Sequence, residues 1–166
     1  SLGFSQVYCS DLFFSEYIEG TSNNKELEIY NTTSNIVDLS NYHIYRYVNG
    51  ATTPGDTLIM AGFLAPNDVY NAVNSAADSL QLEIFADTLH TITYYNGDDA
   101  LELYNGNVLI DVIGEKGIDP GTNWPVGTGA TSEYTLVRMA NVFAGTTNWA
   151  VGATQWDVYP QNDFTH

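Results

Sequence analysis

The chain has 166 residues, 44% of them hydrophobic, and sets four Lys or Arg against twenty Asp or Glu for a formal charge of −16 at pH 7. That length suits a single domain with a sizeable core. The charge excludes direct nucleic-acid binding, whose affinity comes largely from Lys and Arg neutralising phosphates, and it disfavours anionic membrane surfaces for the same reason.

No apolar run reaches the ~18–20 residues of a membrane span, so membrane insertion is not expected. Residues 1–10 read as an N-terminal arm, and Ser1-Leu2-Gly3-Phe4-Ser5-Gln6 has the small and apolar residues found around a signal-peptide cleavage site. A cloning remnant or an ordinary flexible arm fits that stretch as well. Cys9 stands alone and can form no disulfide within this chain; it is read as structurally inert, with pairing to another chain or a free thiol as the alternatives.

Residues 11–166 read as one domain of short strands broken by turn chemistry. Glu26–Asn31 alternates, with Leu27 and Ile29 on one face and Glu26, Glu28 and Tyr30 on the other. His43–Asn49 sets Ile44 and Val48 opposite Tyr45 and Tyr47, and Asn49-Gly50 supplies a turn pair able to adopt positive φ. Asp56–Ala61 and Asp68–Val73 are further strands, separated by Gly62 and Pro66.

Ser75–Asp87 is the exception. Ala76, Ala77, Leu80, Ile84 and Phe85 recur at three- and four-residue spacings, which predicts one short amphipathic helix. Leu89–Tyr95 returns to strand character and stops at Asn96-Gly97. Leu101–Tyr104 and Val108–Ile113 flank Asn105-Gly106, the clearest hairpin of the chain. Gly114 to Ser132 is a long stretch rich in Gly, Pro, Asn and Thr, followed by strands at Tyr134–Met139 and Thr154–Tyr159. Many short strands without alternating helices predict an all-β antiparallel sandwich, with a small barrel as the other arrangement considered.

Two segments echo each other. Leu27-Glu28-Ile29-Tyr30-Asn31 is followed by Val37-Asp38, and Leu101-Glu102-Leu103-Tyr104-Asn105 by Ile110-Asp111. Phe14-Ser15-Glu16-Tyr17-Ile18-Glu19-Gly20, Asn23-Asn24-Lys25, the first echo segment and Val37-Asp38-Leu39-Ser40-Asn41-Tyr42 together resemble the bacterial branch of the lamin tail domain. The resemblance continues through Asn96-Gly97-Asp98-Asp99-Ala100, Ile110-Asp111-Val112-Ile113-Gly114, Asp119-Pro120-Gly121, Trp124, Thr135-Leu136-Val137-Arg138 and Trp156-Asp157. It implies an immunoglobulin-like β-sandwich. It also implies a non-catalytic, secreted or cell-surface module for attachment, assembly or targeting, sometimes an accessory to larger extracellular proteins. Protein or glycan at the cell surface is then the expected partner. Compared with nuclear lamins the likeness is one of fold, and their partners are not implied.

The residues themselves offer little catalytic machinery. His43, His90 and His166 are scattered, and no nucleophile elbow, zinc spacing or phosphate-cradling glycine loop is present. Glu16 with Glu28, or Asp98 with Asp99, meets the two-carboxylate requirement of glycoside hydrolysis only loosely. With twenty acids some such pair arises by accident, so a hydrolase ranks behind the other readings.

Ca²⁺ is the one cofactor the sequence suggests, because hard cations take several oxygen ligands. The candidate ligands are Glu16, Glu19, Glu28, Asp98, Asp99, Asp111 and Asp119. Four basic side chains are too few to neutralise every inward-facing acid. Against this, Asp98 and Asp99 serve turns, and the glutamates pair with Lys25, Arg46 or Arg138. Trp124, Trp149, Tyr45 and Tyr47 are candidate flat faces for a sugar or protein partner, although Tyr is also simply a good strand residue. A calcium-dependent carbohydrate- or protein-binding module is therefore the alternative function. Asp56-Thr57-Leu58, Asp78-Ser79-Leu80 and Asp87-Thr88-Leu89 match a short bacterial O-glycosylation pattern at Thr57, Ser79 and Thr88.

Overall fold

The computed structural model describes residues 11–166, so the N-terminal arm and Cys9 lie outside the described residues. The strands are β1 (Leu12–Glu19), β2 (Lys25–Asn31), β3 (Val37–Asp38), β4 (Tyr42–Tyr47), β5 (Asp56–Ile59), β6 (Phe63–Leu64) and β7 (Val69–Val73). They continue with β8 (Thr88–Leu89), β9 (Ala100–Asn105), β10 (Val108–Ile113), β11 (Pro125–Val126), β12 (Gly129–Ala130), β13 (Tyr134–Arg138) and β14 (Trp156–Pro160). Two short helices, α1 (Leu80–Phe85) and α2 (Trp149–Gly152), complete the set.

A six-stranded sheet runs β14-β13-β1-β2-β7-β8 and a four-stranded sheet runs β10-β9-β4-β5. Every pairing within these two sheets is antiparallel except β7 with β8. The inner faces of both sheets feed one apolar core. Leu12, Phe14, Leu27 and Ile29 come from the six-stranded sheet, and Ile44, Leu101 and Leu103 from the four-stranded one. This is the all-β, immunoglobulin-like architecture. Period-two alternation explains it locally: Leu27 and Ile29 are fully buried on one face of β2, as Leu101 and Leu103 are on β9.

Two bulges bind the sheets together. β1 shifts register between Phe14 and Glu16, and β10 between Leu109 and Asp111. A bulge leaves a backbone group unpaired and re-aims a side chain. Here the freed Phe14 N–H donates to Asp111 Oδ2 at 3.0 Å, and Asp111 also takes the Arg138 guanidinium of β13. Gly145 lets the next loop close over this pair, since a Cβ there would meet the Asp111 Cβ at 2.5 Å. Thr146 N–H then donates to Asp111 Oδ1 at 2.9 Å.

Some expected elements differ from those observed. The predicted helix over 75–87 is only the six-residue α1, and Leu80, Ile84 and Phe85 are exposed while Leu82 is buried. Their spacing therefore does not mark the packed face. Leu89–Tyr95 is not a strand: β8 ends at Leu89 and Thr91–Thr93 forms a 3₁₀ turn, capped by His90 Nδ1 accepting from Ile92 N–H at 2.9 Å. Val48 is exposed beyond the end of β4, and Arg46, not Val48, shares the inward side with Ile44. The long 114–132 stretch contains the small β11–β12 hairpin. The short helix α2 has no counterpart in the sequence pattern.

Candidate functional site

All four Lys and Arg side chains of the chain are held in ion pairs. Lys25 reaches Glu19 at 2.8 Å, Arg46 reaches Asp99 at 2.8 Å, Lys116 reaches Glu102 at 3.3 Å, and Arg138 reaches Asp111. Three of the seven acids proposed as calcium ligands, Glu19, Asp99 and Asp111, are thus taken by protein cations. Burial pushes the Asp111 carboxyl up, and Arg138 with the Thr146, Phe14 and Val112 N–H groups pulls it back. The guanidinium lies 4.1 Å from the Trp156 ring centre, so it is stacked as well as paired.

Asp98 is also buried, and desolvation with the neighbouring Asp99 charge raises its proton affinity. The Asn49 backbone N–H donates to Asp99 Oδ1 at 3.1 Å, and turning the Asn49 amide so that its nitrogen faces the two carboxylates lets it donate to both at 3.2 Å. Asp119 is exposed and accepts from Gly121 N–H at 2.8 Å, closing a turn. Among the described residues, no group of three or more His, Cys, Asp or Glu is arranged to hold a metal ion. The seven acids thus do not form one cluster.

Glu16 and Glu28 do come together. They are direct cross-strand partners on β1 and β2, and Asn71 of β7 is the next partner in the same row. Glu26 lies two residues before Glu28, on the same face of β2. No Lys or Arg reaches this row. Burial, then the charges of Glu28, Glu26 and Asp163, pushes Glu16 up to about 8. Burial, Glu28 and Asp87 push Glu26 up to about 7. Glu28 is also raised by burial, offset by the Ser15 hydroxyl donating at 2.6 Å. α1 and the segment around Phe164 cover the row, leaving a cavity of about 200 Å³.

Among the aromatic candidates, Trp124 and Trp149 pack edge to face at 6.3 Å in the core, 8% and 7% exposed. Little of either ring reaches solvent, although Trp149 lines a cavity of about 430 Å³ with Glu102 and Lys116, so the expectation of two exposed flat faces is corrected: their size is used mainly for filling the sandwich. Tyr47 is buried too, under the Lys116 ammonium 4.9 Å from its ring. Tyr45 is half-buried on the outer face of the four-stranded sheet, beside His43 at 4.7 Å and Tyr104 at 5.4 Å. His43 stacks on Tyr104 at 5.2 Å with rings 3° from parallel. Burial and the Glu102 carboxylate, 2.9 Å from its hydroxyl, push Tyr104 up to about 12. Sequence reasoning misses His43 and Tyr104 as surface residues, although their period with Tyr45 on paired strands is a usable signal.

Thr57 lies on β5 opposite Tyr45, Ser79 precedes α1 and Thr88 lies on β8, each half-buried.

The lamin tail domain family matches residues 6–117. That is more than half of the chain, and it falls on the two echo strands and both bulges. The chain belongs to the lamin tail domain family. The match ends before β11, so Asp119-Pro120-Gly121, Trp124, Thr135–Arg138 and Trp156-Asp157 lie beyond the matched residues. Even so, β13 and β14 complete the six-stranded sheet beside β1, so the sheet extends beyond the matched residues. No curated protein and no solved structure matched in the other two comparisons. Lamin tail domains are immunoglobulin-like, non-catalytic modules. Among the described residues no helix is long and apolar enough to cross a membrane.

Proposed function

We propose that this lamin tail domain is a secreted or cell-surface module that mediates attachment, assembly or targeting, as an accessory of a larger extracellular protein. The observation that carries this reading is the family match over residues 6–117. Two features support it. The surface is strongly acidic, which favours solubility and keeps the module off polyanions. The three histidines are engaged in turn capping, ring stacking or contact with Asp163. The test is fractionation of native cells with an antibody to the chain. Recovery in envelope or culture medium is expected, and recovery confined to the cytosol would overturn the proposal.

The half-exposed His43–Tyr45–Tyr104 cluster favours a second reading, a carbohydrate- or protein-binding module using the outer face of the four-stranded sheet. Retention on a glycan array should fall with Tyr45→Ala, whose ring lies outside the core. The same array run with calcium and with chelator tests the calcium dependence expected from the acids. Equal retention of parent and Tyr45→Ala dismisses the aromatic face.

A further inference from the structure

The covered row on the outer face of the six-stranded sheet is short of a cation. Glu16 is 5% exposed and its Oε1 has no hydrogen-bond partner among the described residues. Asn71 is 7% exposed and its Oδ1 has none either, while its amide nitrogen is occupied by Phe85 O at 3.3 Å. Both residues line the same cavity of about 200 Å³, together with Glu26 and Glu28. A buried acceptor left without a donor costs free energy comparable to a lost hydrogen bond, and a buried carboxylate costs more. Every Lys and Arg of the chain is committed elsewhere, and His166, which also lines the cavity, faces Asp163 at 3.4 Å.

The shape of the donor set decides what kind of cation fits. Glu16, Glu28 and Asn71 lie on three successive strands, and neighbouring strands are ~4.8 Å apart. Calcium needs about six or more oxygens at ~2.3–2.6 Å, and the surrounding backbone carbonyls are spent in the sheet ladders. An ammonium has three N–H donors and no requirement for a closed shell. Besides Gln81 and His166, the remaining walls are apolar, formed by Ile18, Val69, Leu82, Phe85 and Phe164. They suit a short alkyl stem rather than a hydrated ion. Gln81 of α1 donates to Phe164 O and ties the two covering segments together at the rim.

We propose that this cavity is a binding site for a primary alkylammonium group, its three N–H bonds directed to Glu16 Oε1, Asn71 Oδ1 and the Glu28 or Glu26 carboxylate. A lysine side chain and a free alkylamine share this chemistry. The site is separate from the aromatic face and does not depend on the attachment reading. Burial raises the proton affinity of Glu16 to about 8 and of Glu26 to about 7, so the ammonium would compete with protons for these carboxylates.

The test is titration of the whole chain, followed by heteronuclear NMR, with n-butylammonium, Nα-acetyl-lysine methylamide, tetramethylammonium and calcium as separate probes. Butylammonium should shift the amides of Glu16, Glu28 and Asn71, and Glu16→Gln should weaken it by about tenfold. Tetramethylammonium, which has no N–H donor, should not compete. Glu16→Gln is near-isosteric and keeps a neutral polar group in the buried position, so loss of fold does not confound it; Asn71→Leu should weaken binding as a second variant. Binding of the lysine derivative as well as butylammonium assigns the site to a protein side chain, and binding of butylammonium alone assigns it to a free amine. No shift with either amine overturns the proposal. So does equal affinity in parent and Glu16→Gln, or Glu16-dependent binding of calcium with none of the amines.

Discussion

Two segments of this chain carry nearly the same five residues and end in opposite electrostatic circumstances. Leu27-Glu28-Ile29-Tyr30-Asn31 forms most of β2, and Leu101-Glu102-Leu103-Tyr104-Asn105 forms most of β9. Both put their aliphatic pair into the same core, one from each sheet. Glu102 meets Lys116 and the Tyr104 hydroxyl, whereas Glu28 meets Glu16, Glu26 and the Ser15 hydroxyl. The final asparagines diverge likewise. Asn31 is fully buried and its amide serves the Asn35, Leu64 and Ala65 carbonyls, while Asn105 donates to Asp11 and Tyr42. The aspartates that follow differ most: Asp38 is an exposed cap on Ser40 N–H, and Asp111 is the buried staple between sheets. The lesson is that one strand pattern specifies burial of alternate residues and leaves the partners of the others to the neighbouring strands.

The comparison breaks most visibly at the aspartates. Asp111→Ala leaves the Arg138 guanidinium buried without its partner, and equilibrium urea unfolding should show a loss of about 3–5 kcal/mol. A change below about 1 kcal/mol would mean that the staple is not the tie between sheets.

The acids of β1 and β2 predict an unusual pH dependence. Glu16 and Glu26 bind protons more tightly folded, at about 8 and about 7, than at their ordinary value of 4.5. Their contribution to stability is therefore complete below pH 4.5 and is lost as pH rises through 7 to 8. A tenfold difference in proton affinity between folded and unfolded chain corresponds to about 1.4 kcal/mol, so the decline between about pH 5 and 8 is on the order of a few kcal/mol. Thermal unfolding followed across that range should show it, and Glu16→Gln should flatten the curve. A stability that rises toward about pH 8 would contradict the burial of these acids.

At the other echo segment the effect is smaller. Lys116 is 38% exposed on its side chain, so Lys116→Ala should cost under about 1 kcal/mol and shrink further in high salt. Asp38→Ala, on a fully exposed cap, should move the unfolding midpoint least of all; a loss matching that of Asp111→Ala would erase the distinction between the two aspartates.

Much of the fold is legible in the sequence because burial follows period two. Glu26–Asn31 and Val108–Ile113 fall on β2 and β10 within a residue, and Asn105-Gly106 joins the hairpin β9–β10 as its turn chemistry requires. The helix over 75–87 is shorter than its pattern predicts because aliphatic spacing there reflects an exposed segment with one anchor, Leu82. Of the candidate site, Glu16 and Glu28 are visible as acids within strands, and Glu26 shares their face by simple alternation. Asn71 is out of reach, since its place beside Glu28 depends on β7 pairing with β2, a contact between strands well separated in the chain. Trp124 and Trp149 mislead because aromatic content does not say which face of a strand or loop meets solvent.

The amino-acid sequence by itself determined the class of fold, its family signature and the shortage of basic side chains, because alternation, turn residues and charge are local or additive properties. Only the tertiary structure decided which acids the four cations reach, which aromatic rings are covered and that three glutamates and Asn71 share one cavity. Those facts depend on register between strands distant in the chain, where a shift of one residue would turn every side chain to the opposite face.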